Sequence, residues 1–409
     1  MSQMVALSII ILILYIGDVV STRTKAWIPS VFVCAVLFLI GYWTFFPADI
    51  ISRAGIGTPV AIMLMYLLIT NMGTLLSLKE LAQQWKTVVI SLAGIAGIAA
   101  AVFAVSLALF DRNTALVTIP PLVGGIVSSL IMSQGASSAG LVDLSVFAIL
   151  IYVMQGFAGY PLTAIMLQRE GKTLLARYRS GEHRPDNIAD EHAMLTVGEE
   201  KMPRLFSKIP VSYNSNYFKF LRLALVGCLA WLVADLAKPI VNISPFVLCL
   251  FFGVVFTSLG FLEKHMLHKA NGFGFAIMAL MLFIFDTLNK ATPEMLLRLL
   301  FPMVVLIATA AIGMFVVSWL VGKLLGVSGP MAFAISLTAL YGFPADYIIT
   351  NEAINALTHD EKERQMLTHH MLGPMLVGGF VSVTHGVGGV SRNSGRLSDP
   401  RYRLSALNF

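Results

Sequence analysis

Asp346 is an acidic residue in an otherwise apolar run. It follows Pro344 by two positions in the stretch YGFPADYIITNEAI (341–354). A carboxylate there has two chemical uses. Hard cations such as Na⁺ prefer oxygen ligands, and a buried carboxyl can carry a proton. It also suits the start of a helix after a proline turn, where Asp caps well. Thr350 adds a hydroxyl oxygen for the cation, and Asn351 an amide for a substrate. Gly342 lets backbone approach closely, and Glu352 stands nearer the surface.

A second group lies at 114–141. Pro120 and Pro121 break the run, and Gly124 and Gly125 allow close backbone approach. Ser128, Ser129 and Gln134 then offer hydroxyls and an amide, which suit a carboxylate-bearing substrate. The same small residues also serve close helix packing. Asn71 and Asp286 occupy matching places in two apolar runs and are expected to add to a cation site. Both also lie near the ends of those runs. Gln155, with Gly156 and Gly159, is the polar point of a further run. Asp18, Asp143 and Asp235 sit at run ends and read as solvated. His369, His370 and His385 show no metal-ligand spacing. Cys34, Cys228 and Cys249 read as small hydrophobes.

The elements that must position these groups follow from composition. Of 409 residues, 57% are hydrophobic and 12% charged, and mean hydropathy is +0.80. That excludes a soluble enzyme, a disordered chain and a nucleic-acid binder, despite a pI near 9.2. Ten segments are long and apolar enough to cross a bilayer: 4–20, 27–46, 58–76, 87–110, 142–168, 217–237, 244–261, 271–289, 295–325 and 366–390. The first lacks a basic leader and a cleavage site, so it reads as a span. Two more segments, 114–141 and 328–357, are apolar but broken by Gly, Pro and small polar residues. Irregular backbone cannot face lipid, so both are expected to be helical hairpins that re-enter from one side. With hairpins, 19 of the 28 basic residues fall on one face, which places that face in the cytoplasm. Residues 169–215 are then a cytoplasmic linker and 391–409 a tail. Trp27, Trp43, Trp85 and Trp319 fall near span ends, as interfacial anchors do.

The linker separates 1–168 from 216–390. Each part holds five spans, with a broken segment between the fourth and fifth. MYLLITNMGTLLSLKEL (65–81) is similar to LFIFDTLNKATPEML (282–296). An odd number of spans per part inverts the second against the first. The expected fold is therefore an all-α integral membrane protein with about ten transmembrane helices, two re-entrant hairpins and two inverted-topology repeats. Inverted repeats with broken helices point to a secondary transporter.

Several stretches also resemble the bacterial glutamate:sodium symporter family: PFVLCLFFGVVFTSLGF (245–261), Ile69–Gly73, VGGIVSS (123–129) and YGFPADYIITNEAI (341–354). Two departures are visible. The family's Gly-Gly-His-Gly-Thr is here Gly124-Gly125-Ile126-Val127-Ser128, and its second hairpin is glycine-rich where this chain has Gly342-Phe343-Pro344. The resemblance covers most of both repeats but not the linker. It implies a homodimer in a bacterial inner membrane, with an oligomerising domain and a mobile domain that carries the hairpins. The expected activity is Na⁺- or H⁺-coupled symport of a small organic anion or amino acid such as glutamate, by alternating access and without a cofactor. An intramembrane aspartyl protease pairing Asp286 with Asp346, and an ion channel, are the alternatives. The protease signature Gly-x-Gly-Asp is absent, with Phe-Pro-Ala-Asp at 343–346 instead.

Overall fold

The computed structural model describes residues 1–74, 84–180, 204–206, 210–237, 245–379 and 381. Most of the linker, the tail and His385 lie outside the described residues. Among the described residues there is helix but no strand. The main helices are α1 (Gln3–Arg23), α2 (Ser30–Thr44), α3 (Ile50–Arg53), α4 (Thr58–Gly73), α5 (Trp85–Leu109), α6 (Arg112–Ser138), α7 (Val142–Arg179) and α8 (Asn216–Ala237). They continue with α9 (Pro245–Ser258), α10 (Met266–Lys269), α11 (Phe273–Asp286), α12 (Pro293–Leu325), α13 (Gly329–Leu337), α14 (Ala345–Leu357) and α15 (Glu361–Leu367). A π-helical turn, Thr368–Leu372, carries α15 on into helical residues 373–379.

Helix starts follow local chemistry. Ser2, Asp111, Thr292 and Ser328 each accept a backbone N–H of the first turn of α1, α6, α12 and α13. Pro59, Pro293 and Pro330 stand in first turns, where no N–H partner is needed. Gly326, at φ +73°, ends α12 in the left-handed region.

Among the described residues five helices, α1, α5, α7, α8 and α12, are long and apolar enough to cross a bilayer. Shorter apolar helices accompany them. Leu297, Phe301, Val304, Ile312, Leu320 and Leu324 of α12 are exposed. Exposed apolar side chains along a helix that long are what a lipid-facing surface requires. This is the architecture of an all-α membrane protein. Helix α7 runs past the expected span end at 168 as far as Arg179, into the segment read as linker.

The chain forms two compact units. The first comprises 1–55, 84–171 and 281–409, and the second 56–83 and 172–280. At the centre of the first, α5 and α12 cross. A Cβ placed on Gly97 would lie 2.6 Å from the Gly313 carbonyl oxygen, and one on Gly313 2.5 Å from that of Gly97. The helices run antiparallel. Lys86, at the start of α5, donates to the Leu325 carbonyl at the end of α12, and Phe110, after α5, packs on Phe301 near the start of α12. Gly97→Ala is expected to destabilise by about 1–3 kcal/mol through overpacking, read as a lower melting temperature in detergent.

Two segments of the first unit double back. Gly125 interrupts α6 with φ +65° and ψ −156°. Val117 and Met132, on either side of it, share one buried cluster. In a straight helix they would stand roughly 22 Å apart. Both ends of α6 also lie near the start of α12: Phe110 on Phe301, and Asp143 paired with Arg298 at 3.0 Å. The second reversal joins α13 to α14 through a 3₁₀ turn, Thr338–Leu340, and Gly342 at φ +64°. Its ends meet neighbouring residues of α7. Ser328 donates to Glu170, and a Cβ on Gly171 would lie 2.3 Å from Leu357. Asp143 and Glu170 sit near opposite ends of α7, roughly 40 Å apart at the helical rise.

Local contacts recur at a shift of about 216 positions (313 − 97). Gly125 and Gly342 correspond, as do the ends of α5 and α12 at Leu109 and Leu325. In the first unit Phe38 of α2 stacks on Phe285 of α11 at 5.0 Å. In the second unit Gly253 of α9 packs directly on the Thr70 carbonyl of α4, and Gly73 on that of Leu250. In both cases, leaving aside the four-residue helices α3 and α10, the third helix before or after the linker packs against the second helix on its other side.

The second unit is also held by Arg222, which is fully buried. It donates to Glu263 and Asn214, both at 2.7 Å, and to the Phe261 carbonyl. Nearby, the His268 ring stacks on Phe273 at 3.6 Å, and its Nδ1 is buried without a partner. Burial, then the neighbouring His265, pushes the His268 pKa down to about 4 from the ordinary 6.5. The unfolded chain therefore binds that proton first. Stability from this ring is complete above about pH 6.5 and is lost as pH falls toward 4. A His268→Phe variant is expected to lose that pH dependence in a melting series.

Candidate functional site

The two reversals hold most of the expected substrate and cation residues. Asp346 lies in the first turn of α14 and is fully buried. Its Oδ1 accepts the Tyr347 N–H at 2.6 Å, whereas Oδ2 is buried without a hydrogen-bond partner. A carboxylate in that state costs several kcal/mol unless a proton or cation neutralises it. A Cβ on Gly379 would lie 2.2 Å from this oxygen, so only glycine backbone fits there. Beside it, Gly378 packs against the Ile335 carbonyl and the Thr338 hydroxyl, and its own carbonyl accepts from Ser91. The Thr338 hydroxyl itself donates to the Ile335 carbonyl at 2.6 Å. The π-helical turn at Thr368–Leu372 leads into this glycine pair, and such turns recur at functional sites.

The other expected residues divide by environment. Thr350 is fully buried and donates to the Asp346 carbonyl at 2.6 Å. Asn351 donates to the Tyr347 carbonyl at 2.7 Å. Gly342 donates to the Thr338 carbonyl at 2.7 Å. In the first reversal Gly124 is buried, and a Cβ on Gly125 would meet nothing within 4 Å. Ser128 Oγ is buried and unpartnered, while Ser129 donates to the Ala148 carbonyl of α7 at 2.7 Å. Gln134 is exposed.

Asn71 and Asp286 fall in separate compact units. Asn71 Oδ1 accepts the Leu267 N–H at 2.7 Å, which ties α4 to α10. Asp286 is half-buried. Among the described residues, no group of three or more His, Cys, Asp or Glu could hold a metal ion.

Five further residues carry weaker sequence signals. Gln155 of α7 is fully buried. It donates to the Pro121 carbonyl at 3.2 Å, and its Oε1 is unpartnered. Thr118 Oγ1 is likewise unpartnered. Gly378 and Gly379 read in sequence only as part of a span, although a Gly-Gly pair within a span is itself a sign of close backbone approach. Glu352 is held by the α1–α2 turn: Ser21 Oγ donates at 2.6 Å, Ser30 N at 3.0 Å, and Ser30 Oγ also donates.

No protein-family model matches the chain, and no curated protein matches it.

Proposed function

We propose that this protein is a secondary active transporter that couples Na⁺ or H⁺ to symport of a small carboxylate-bearing solute by alternating access. One observation carries the reading. Two chain reversals lie near opposite ends of α7, and they and the facing α7 residue hold four buried, unpartnered polar atoms, on Thr118, Ser128, Gln155 and Asp346. Buried polar atoms without partners call for water, an ion or a ligand. Irregular backbone inside a membrane occurs only where protein or a wet cavity surrounds it.

On this reading α6 and α13–α14 are re-entrant hairpins, and the chain is two inverted-topology repeats with about ten spans. The antiparallel α5 and α12 and the contacts that recur at a constant shift support it. Asp346 neutralises the coupling cation, Ser128 and Gly125 face the solute, and Glu352 ties the second hairpin to the α1–α2 turn. A bacterial inner-membrane location, a homodimer and distant relationship to the glutamate:sodium symporters belong to the same proposal.

The test is uptake into proteoliposomes of labelled amino acids and carboxylates, with a Na⁺ gradient, a pH gradient or neither. Accumulation driven by one gradient is expected. Uptake indifferent to both, or a steady ionic current, would overturn the reading in favour of a channel.

A further inference from the structure

One end of the first unit gathers exposed cations beside a row of tryptophans. Four segments meet there. Gln168 of α7 donates through Nε2 to the Lys25 carbonyl in the α1–α2 turn at 2.9 Å. Ser328, between α12 and α13, donates to Glu170 of α7. Lys86 Nζ, at the start of α5, donates to the Leu325 carbonyl at the end of α12 at 2.9 Å. These contacts bring Arg23, Lys25, Lys86, Arg169 and Lys323 to one end, and all five residues are exposed.

Tryptophans mark the depth. Trp27 follows Lys25 by two positions, Trp85 precedes Lys86, and Trp319 stands about one turn before Lys323. Each of the three is exposed. Exposed tryptophan on apolar helices belongs at the headgroup boundary, and Lys and Arg stems reach from there into the polar layer. The cations therefore stand at the depth of lipid phosphates.

Among the described residues, most acids at this end are engaged by neighbours. Glu170 is buried and accepts from Ser328, and Glu352 accepts from Ser21 and Ser30. Asp360 caps α15, Glu361 pairs with Arg364, and Glu363 accepts from Thr358. Asp18 is exposed and stands about 7.5 Å deeper than Arg23 along α1. The opposite end differs. There Arg53 pairs with Asp49 at 2.7 Å and Arg298 with Asp143 at 3.0 Å. Insertion topology asks only for Lys and Arg somewhere in the loops of one side. Five of them held together beside a tryptophan row form a surface.

We propose that this end of the first unit binds anionic phospholipid headgroups, with Lys25, Arg169 and Lys323 as the central contacts of the phosphates. The inference needs the membrane architecture and not the transport reading. Each basic residue at a membrane surface is worth roughly fivefold in affinity for anionic lipid.

The experiment reconstitutes the full chain in an equal mixture of phosphatidylglycerol and phosphatidylcholine with matched acyl chains. The protein is then extracted in mild detergent and its retained lipid counted by native mass spectrometry. Phosphatidylglycerol should be enriched at least about fivefold. Lys25→Gln with Arg169→Gln and Lys323→Gln should bring the ratio near one. Arg53→Gln with Arg298→Gln, at the opposite end, should leave the enrichment in place. Salt at about 0.5 M should remove most of the wild-type enrichment by screening, and inorganic phosphate should not displace the lipid. A wild-type ratio near one would overturn the inference, as would enrichment that survives the triple substitution. Equal loss in the Arg53 and Arg298 variant would also overturn it. So would displacement by inorganic phosphate, which would mark an anion site instead of a lipid surface. If the triple variant fails to fold, the salt series on the wild type decides, and enrichment that persists in high salt rules out charge as its cause.

Discussion

Asp346→Asn is expected to abolish cation-driven accumulation while yield and thermal unfolding stay near those of the wild-type protein. The side chain keeps its shape, and its oxygen can still accept the Tyr347 N–H. What disappears is the charge on the fully buried Oδ2. An amide whose NH₂ is left without partners costs less than an unpaired carboxylate, so the variant should be no less stable. The two coupling ions separate cleanly. If a proton is coupled, asparagine imitates the protonated carboxyl, and substrate exchange across the membrane survives while pH-driven accumulation is lost. If Na⁺ is coupled, both fall by at least about tenfold, since each tenfold is only about 1.4 kcal/mol of binding. Normal gradient-driven accumulation in a protein carrying Asp346→Asn would remove Asp346 from the mechanism.

Arg222→Ala should cost about 3–5 kcal/mol, the effect of stripping one partner from a buried ion pair. The guanidinium is fully buried, holds Glu263 and Asn214, and lies 4.6 Å from the centre of the Phe218 ring. Burial alone would raise the Glu263 pKa, but hydrogen bonds from Arg222 and Asn214, with the charges of Arg222 and Lys269, hold it below the usual carboxylate range. A carboxyl held low stabilises the fold above its unfolded pKa and loses that contribution as pH falls through the folded one. The wild type should therefore show acid-sensitive melting from this pair. Arg222→Met with Glu263→Leu should recover most of the loss, since a matched apolar replacement is often neutral. A melting temperature for Arg222→Ala within about a degree of wild type would contradict the account.

The sequence made the breaks legible because glycine and proline are local signals. Gly125 and Gly342 adopt the positive φ that an ordinary side chain resists, and the two segments around them stood out against continuous apolar runs. Apolar length likewise marked the helices that could cross a bilayer. Long-range partners were another matter. Glu352 could be placed near a surface, but nothing local ties it to Ser21 and Ser30, more than three hundred positions away. Arg222 counted as one more basic residue near the linker, since composition cannot distinguish a buried guanidinium from a solvated one. Asn71 and Asp286 occupy matching places in two apolar runs of the sequence, yet they fall in different compact units. The helix that holds the fifth apolar run continues through polar residues to Arg179, where hydropathy ends but helix propensity does not.

The crossing of α5 and α12 can also be described as an interface. Gly97 and Gly313 make the same contact in both directions, and each one's missing side chain admits the other's carbonyl. The contact is isologous, like the patch a two-fold dimer makes with itself. One geometric requirement is therefore written twice along a single chain. A methyl at either glycine breaks the same approach, and a second methyl meets a contact already opened. The two substitutions combined should cost clearly less than the sum of their separate costs.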